Sequence, residues 1–240
     1  MLSDCGVTYP KDDIVQDLEK LIKKECKQNS RACILGRTLY LDMEVGVVKS
    51  QNQETVLEIL RKIHLVSFAM VRVILSGDSD IKYMVTTTYD VDKNIVFRVV
   101  KNIDDIKSYF CMCMSRSDYE SRCILEIAYF PFASRIITDR HDITDDEYIG
   151  RVIVSQIVNI ISRSNPISWY LISTLQLHYA GINDKTLILF VSEHVDIKVN
   201  HILKNILREQ VQKCSKKYNK LFNRVEVVTS TGKTVLTLFL

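Results

Sequence analysis

The sequence predicts an α+β fold, and three observations carry the prediction. Hydrophobic spacing changes along the chain from a period of two to a period near 3.6. The strand-like runs between Ala69 and Lys101 are separated only by short turn compositions, which specifies an antiparallel meander flanked by helices in the first half. The second half reads as a helical hairpin, a long amphipathic helix and a terminal β-hairpin, with no regular β-α-β alternation, which argues against a doubly wound nucleotide-binding fold.

Each element has its own sequence signal. In Pro10 to Gln28, Ile14, Val15, Leu18, Leu21, Ile22 and Cys26 share a helix face, while Lys20, Lys23, Lys24 and Lys27 take the other. Ala32 to Lys49 reads as extended, because Leu39, Leu41, Met43, Val45 and Val47 alternate with other residues. Asn52 to Leu65 has helical spacing, with Val56, Leu57, Leu60 and Ile63 in phase. Strands are expected over Ala69 to Leu75, Ile81 to Tyr89 and Asn94 to Lys101, divided by Ser76 to Asp80 and Asp90 to Lys93. Asp104 to Met114 reads as a short helix and Arg122 to Phe130 as a strand ended by Pro131. The irregular, charged stretch Ala133 to Ile143 is the candidate boundary between lobes at 1–135 and 140–240, unless the chain forms one continuous domain.

The second lobe carries the clearest core. Thr144-Asp145-Asp146-Glu147 has the form of a capping box, with three acids suited to the positive end of a helix dipole. Ile149, Val152, Ile153, Ile157, Ile160 and Ile161 then form one apolar stripe. Asn165-Pro166 predicts a new helix start, followed by Trp169, Leu171, Ile172, Leu175 and Tyr179, with Gly181 as its stop. Leu187 to Val191 is short and continuously apolar, as in a strand buried on both faces. Val195 to Leu221 reads as a long helix, and Arg224 to Thr229 with Thr234 to Leu240 as a hairpin. No sequence repeat is visible.

Composition sets the class. At 240 residues, 47% hydrophobic and 25% charged, the chain has enough apolar material for a core without a metal or disulfide staple. Seven cysteines form no regular pattern, and Met1 to Lys11 has neither a basic head nor an apolar run. No Asn-X-Ser/Thr sequon occurs and no apolar run reaches the ~18 residues of a spanning helix. These features lead to the expectation of a soluble, intracellular protein in a reducing compartment, cytoplasm or nucleus. Few Gly and Pro with abundant Ile, Asn and Lys suit an AT-rich coding genome, as in some large DNA viruses or yeasts.

No motif specifies a reaction. Gly232-Lys233-Thr234 resembles the tail of a phosphate loop, but Val227 stands where that loop needs Gly, and a strand follows rather than a helix. A hairpin turn is expected there instead. Cys111-Met112-Cys113 has the wrong spacing for a metal or redox pair and is read as part of a packed helix face with Phe110 and Met114. His194 and His201 lie about two turns apart on one helix, ~10 Å, too far for one ion. Asp139-Arg140-His141-Asp142 with Asp145, Asp146 and Glu147 is the densest ionisable group, and the place where an enzyme's site would be sought. Its later acids already have helix-start duties, and Arg140 would repel a cation, so a solvated loop is expected.

The C-terminal helix is the strongest binding candidate. Lys198, Lys204, Arg208, Lys213, Lys216, Lys217 and Lys220 lie opposite the stripe Val199, Leu203, Leu207, Val211, Cys214, Tyr218 and Leu221, and Glu209 is the one acid among them. Such a face suits phosphates or an acidic partner, and the lack of interleaved aromatics argues against base stacking. Three functions are therefore weighed. The first is a non-catalytic interaction or assembly subunit of an intracellular complex, with one or more protein partners and no cofactor. The second is a nucleic-acid-binding protein using those cations, and the third a metal-assisted enzyme at Asp139 to Asp142.

Overall fold

The computed structural model describes residues 11–27, 29–45, 53–75, 79–92, 94–127, 140–164, 177–191, 197–229 and 231–240. The chain divides into two compact units, Met1–Asp142 and Ile143–Leu240.

The first unit runs α1 (Lys11–Cys26), β1 (Ser30–Leu35), β2 (Thr38–Glu44), α2 (Gln53–Leu75), β3 (Tyr83–Tyr89), β4 (Ile95–Asn102), α3 (Ile103–Phe110), α4 (Arg116–Arg122) and β5 (Ile124–Ile127). Its sheet has the order β1-β2-β3-β4-β5. Three pairings are antiparallel, as a meander requires, but β2 and β3 are parallel and α2 makes the crossover between them. The sheet is thus mixed, and contains one β-α-β step.

Two differences from the sequence reading explain this topology. Ala69 to Leu75 is not a strand but the last third of the 23-residue α2. Val66, Ala69, Met70, Val73 and Ile74 are all buried, and that spacing puts them on one helix face. The β-branched residues suggested a strand, but burial of this stripe overrides their propensity. The extended run from Ala32 also breaks into a hairpin at Gly36-Arg37, where Gly36 has φ 57°.

Alternation sorts the sheet's two faces. Leu39, Leu41 and Met43 of β2 and Met84 of β3 meet Ile14, Leu18 and Ile22 of α1 and the α2 stripe in one core. The opposite face carries the row Arg31–Asp42–Thr87–Arg98–Glu126, whose members are register partners across all five strands. The next row on that face, Cys33–Tyr40–Val85–Val100–Ile124, is apolar at its centre, and Val85 and Val100 are fully buried.

α3 is capped by Asn102, whose side chain accepts from the Asp104 and Asp105 amides at 2.7 and 3.4 Å. It ends at Phe110, four residues short of the expected boundary. Cys111 and Cys113 therefore occupy an exposed turn, with Met112 at φ 56° and 93% exposed, rather than a packed helix face.

The second unit runs α5 (Asp145–Ser164), β6 (His178–Asn183), β7 (Thr186–Phe190), α6 (Ile197–Tyr218), β8 (Arg224–Val228) and β9 (Thr234–Phe239). Sheet order is β6-β7-β8-β9, with β7 and β8 parallel and the other two pairings antiparallel. Among the described residues, the first six elements of the first unit and the elements of the second follow the same order, α-β-β-α-β-β, which the sequence does not reveal by eye. Thr144 Oγ1 accepts from the Glu147 amide at 3.2 Å, so the hydroxyl half of the capping box forms. The Glu147 carboxylate pairs forward with Arg151 at 2.8 Å. Ile149, Ile153 and Ile157 of α5, with Leu207, Val211 and Cys214 of α6, cover Leu187, Leu189, Val225, Val227, Leu236 and Leu238.

The helix expected after Pro166 lies outside the described residues, but its end is corrected. Tyr179 and Gly181 belong to β6, with Tyr179 paired to Leu189 and Gly181 to Ile188. Tyr179 packs on α5, where its ring lies so close to Gly150 that any Cβ there would collide with it. The terminal hairpin forms as expected, and Gly232 (φ 78°) sits in its turn with its amide bonded to the Thr229 carbonyl at 2.9 Å. Gly232-Lys233-Thr234 is therefore a turn running into β9.

Candidate functional site

Local chemistry divides the predicted basic face. Arg208, Lys213 and Lys216 are exposed on α6, with exposed Glu209 among them. Lys204 and Lys217 are half-buried, nearer the apolar stripe. The helix ends at Tyr218, Asn219 takes φ 50°, and the Lys220 amide reaches back to the Ser215 carbonyl at 3.0 Å. This left-handed stop carries Lys220 off the helix, to an ion pair with Asp146 at the start of α5. Lys198 falls in the first turn, where side chains lie outside the described residues. Of the seven cations, Arg208, Lys213 and Lys216 are thus the exposed ones among the described side chains, and Lys204, Lys217 and Lys220 are partly buried.

The Asp139–Asp142 stretch has structural partners wherever it is described. Asp139 lies outside the described residues. Asp142 accepts from the Arg37 amide at 2.8 Å and from Thr38 Oγ1 at 3.2 Å, clamping the β1–β2 turn. The Tyr40 hydroxyl donates to the His141 carbonyl at 2.6 Å and accepts from its amide at 3.1 Å. Arg140 pairs with Asp42, in the charged row of the first sheet. Burial pushes the Asp42 carboxyl above its ordinary value, against the pull of Arg140, Arg98 and Arg31. Burial and the nearby Asp42 charge likewise raise Tyr89, opposed by Arg140 and Arg98. Arg140 is itself shifted upward: burial acts against its charge, but Asp42, Cys33 and Tyr89 outweigh it. Asp145 and Asp146 begin α5, and among the described residues no three His, Cys, Asp or Glu side chains converge as metal ligands.

A third surface was not legible as a site. Ile188 and Phe190 of β7 point away from the helices and are half-buried, so β7 is not buried on both faces as its apolar run suggested. They share the second sheet's opposite face with Arg224, Glu226 and Val228 of β8 and with Thr237 and Phe239 of β9, by strand register. Phe239 is 71% exposed, and Arg224 and Glu226 form an ion pair at 3.2 Å in the middle of this face. This face thus sets half-covered aliphatic and aromatic groups around a matched charge pair. The alternation in Arg224 to Val228 was its one sequence signal.

The comparisons do not add a family. No family model matches the chain, and no curated protein matches it. A solved structure titled "Crystal structure of Sex pheromone staph-cAM373 precursor" aligns over 98% of this chain and 83% of its own, at 8% identity and a TM-score of 0.26. So low a score carries no argument about fold or function. No helix among the described residues is long and apolar enough to cross a membrane.

Proposed function

We propose that the chain is a non-catalytic interaction or assembly subunit whose protein partner meets the open face of the second sheet. The observation that carries this reading is the combination on that face of exposed Phe239, half-buried Ile188, Phe190 and Val228, and the Arg224–Glu226 pair. A patch of this composition carries an unfavourable hydration cost that a partner's apolar surface removes. The described acids near the chain's middle hold a turn, a strand row and a helix start. The test is purification of the tagged full chain with and without Phe239→Asp. A stoichiometric protein partner lost in the folded variant supports the reading, and a partner retained undiminished argues against it.

A second reading rests on Arg208, Lys213 and Lys216, whose exposure on one helix leaves them able to meet phosphates. Three contacts predict a shallow salt dependence, with a slope in log K against log [salt] of roughly −3. Retention on duplex DNA that falls with that slope, and disappears when the three become Glu, would favour this reading. Salt-independent retention would remove it.

A further inference from the structure

The outer strands of the two sheets, β1 and β5 in the first and β6 and β9 in the second, are not protected alike. An outer strand presents a row of backbone N–H and C=O groups that can add another strand, and folded proteins block such rows with charge, shortness, a bulge or a covering group. β1 is blocked by Glu19, whose Oε1 accepts from the outward Ala32 amide at 2.7 Å. β5 is four residues long and carries Glu126. β6 is broken by a register shift between Tyr179 and Gly181. β9 has none of these devices from Leu236 to Phe239. Its register shift falls before Leu236, and Thr234–Phe239 contains no charged residue and no proline.

The register fixes which backbone groups of β9 face outward. The Leu240 amide donates to the Asn223 carbonyl at 3.1 Å, and Arg224 is the register partner of Phe239. Antiparallel pairs alternate between bonded and non-bonded, so Leu238 and Leu236 also bond to β8. Thr237 and Phe239 lie between them and turn their N–H and C=O groups to the outer side. Among the described residues no hydrogen bond reaches those outward groups. Both side chains are exposed, while Leu236 and Leu238 are buried in the core and hold the strand straight from the inner side. The edge is thus extended, uncharged and already ordered.

We propose that β9 pairs antiparallel with β9 of a second copy of this chain, about a two-fold axis, and joins the two second-unit sheets edge to edge. In the register that uses every outward group, Thr237 of each copy lies opposite Phe239 of the other, and each N–H donates to the carbonyl facing it. Freedom from charge is what selects a second copy as the partner. A two-fold contact sets a strand against itself, so a charge on it meets its own like across the axis, and β9 has none. Arg31 on β1 and Glu126 on β5 would repel their own copies in such a contact. The same register makes the two Phe239 rings diagonal neighbours, within reach of each other, and covers apolar surface that the single chain exposes. The broken β6 edge does not add a further strand, so the assembly closes at two copies. This contact runs along the sheet's edge and does not rest on occupation of the open face.

The test is the mass of the purified full chain in solution across a dilution series, read by sedimentation, with Thr237→Lys, Thr237→Glu and Phe190→Asp beside it and circular dichroism checking each fold. The unmodified chain should reach twice its own mass, with little dependence on salt, because no charge pair holds the contact. Thr237→Lys and Thr237→Glu should each weaken self-association by about 10-fold or more, since each sets like charges near the axis. An equimolar mixture of the two should recover the dimer by supplying opposite charges. Phe190→Asp, on the open face but on β7, should leave self-association unchanged, so failure of this pairing and loss of an open-face partner are read separately. Hydrogen exchange at the Thr237 and Phe239 amides of the unmodified chain should slow as the dimer forms. A monomer at every concentration, a dimer that Thr237→Lys leaves intact, or one that Phe190→Asp abolishes would overturn the proposal.

Discussion

Replacing Gly36 by Ala, alone and with Asp142→Ala, probes the contact that fixes the first hairpin. Gly36 has φ 57°, and a Cβ there would run into the Asp142 carboxyl group. The left-handed conformation costs an L-residue about 1–2 kcal/mol. Displacing Asp142 forfeits its bonds to the Arg37 amide and Thr38 hydroxyl, worth about 1 kcal/mol together at a site open to water. Gly36→Ala should thus destabilise by about 2–3 kcal/mol and Asp142→Ala by about 1 kcal/mol. In the double variant the clash is gone and the carboxylate's bonds cannot be lost twice. Its cost should be about 1 kcal/mol less than the sum of the single changes. Urea denaturation of the four proteins, read as midpoint and slope, measures this coupling. Strict additivity would refute the placement of Asp142 against the turn, and would return that carboxylate to the list of candidate catalytic groups.

Two further changes test the cores. Lys101→Met should stabilise the protein at pH 7 by on the order of 1 kcal/mol, because an apolar side chain avoids the desolvation that lowers the Lys101 value. The sign with pH follows: the folded chain releases this proton below the ~10.4 of an unfolded lysine, so wild-type stability should gain on Lys101→Met as pH rises from neutral toward 10. Denaturation at three pH values reads the gap, and a gap independent of pH would contradict the burial argument. Ile153→Ala removes a fully buried side chain between α5 and the second sheet, and should cost about 2–5 kcal/mol in thermal or urea unfolding. A loss below ~1 kcal/mol would mean that Ile153 is not part of that core.

Legibility in the sequence followed the strength of local signals. The α1 stripe, the β3 and β4 runs, the start of α5, the long α6 and the terminal hairpin were all readable, because each couples a clean period to a cap or turn residue. Ala69 to Leu75 was not, since Val71, Val73 and Ile74 favour a strand in isolation and only burial of Val66, Ala69, Met70, Val73 and Ile74 on one face makes it helix. Tyr179 misled for a similar reason: it continued a helical spacing, while its partner across the sheet, Leu189, lies ten residues on. The charged row Arg31–Asp42–Thr87–Arg98–Glu126 could not be seen either, because its members come from five separate strands. Lys101 read as one more strand residue, and its burial beside Ser67, Val71, Ile106 and Tyr119 is a property of three helices packed around it.

The most direct measurement is the mass of the complex that the tagged full chain forms, compared with that of a chain carrying Phe190→Asp and Phe239→Asp on the second sheet's open face. The account predicts a defined protein complex for the first and a folded, partnerless monomer for the second. An unchanged complex in the double variant, with circular dichroism showing an intact fold, would contradict it.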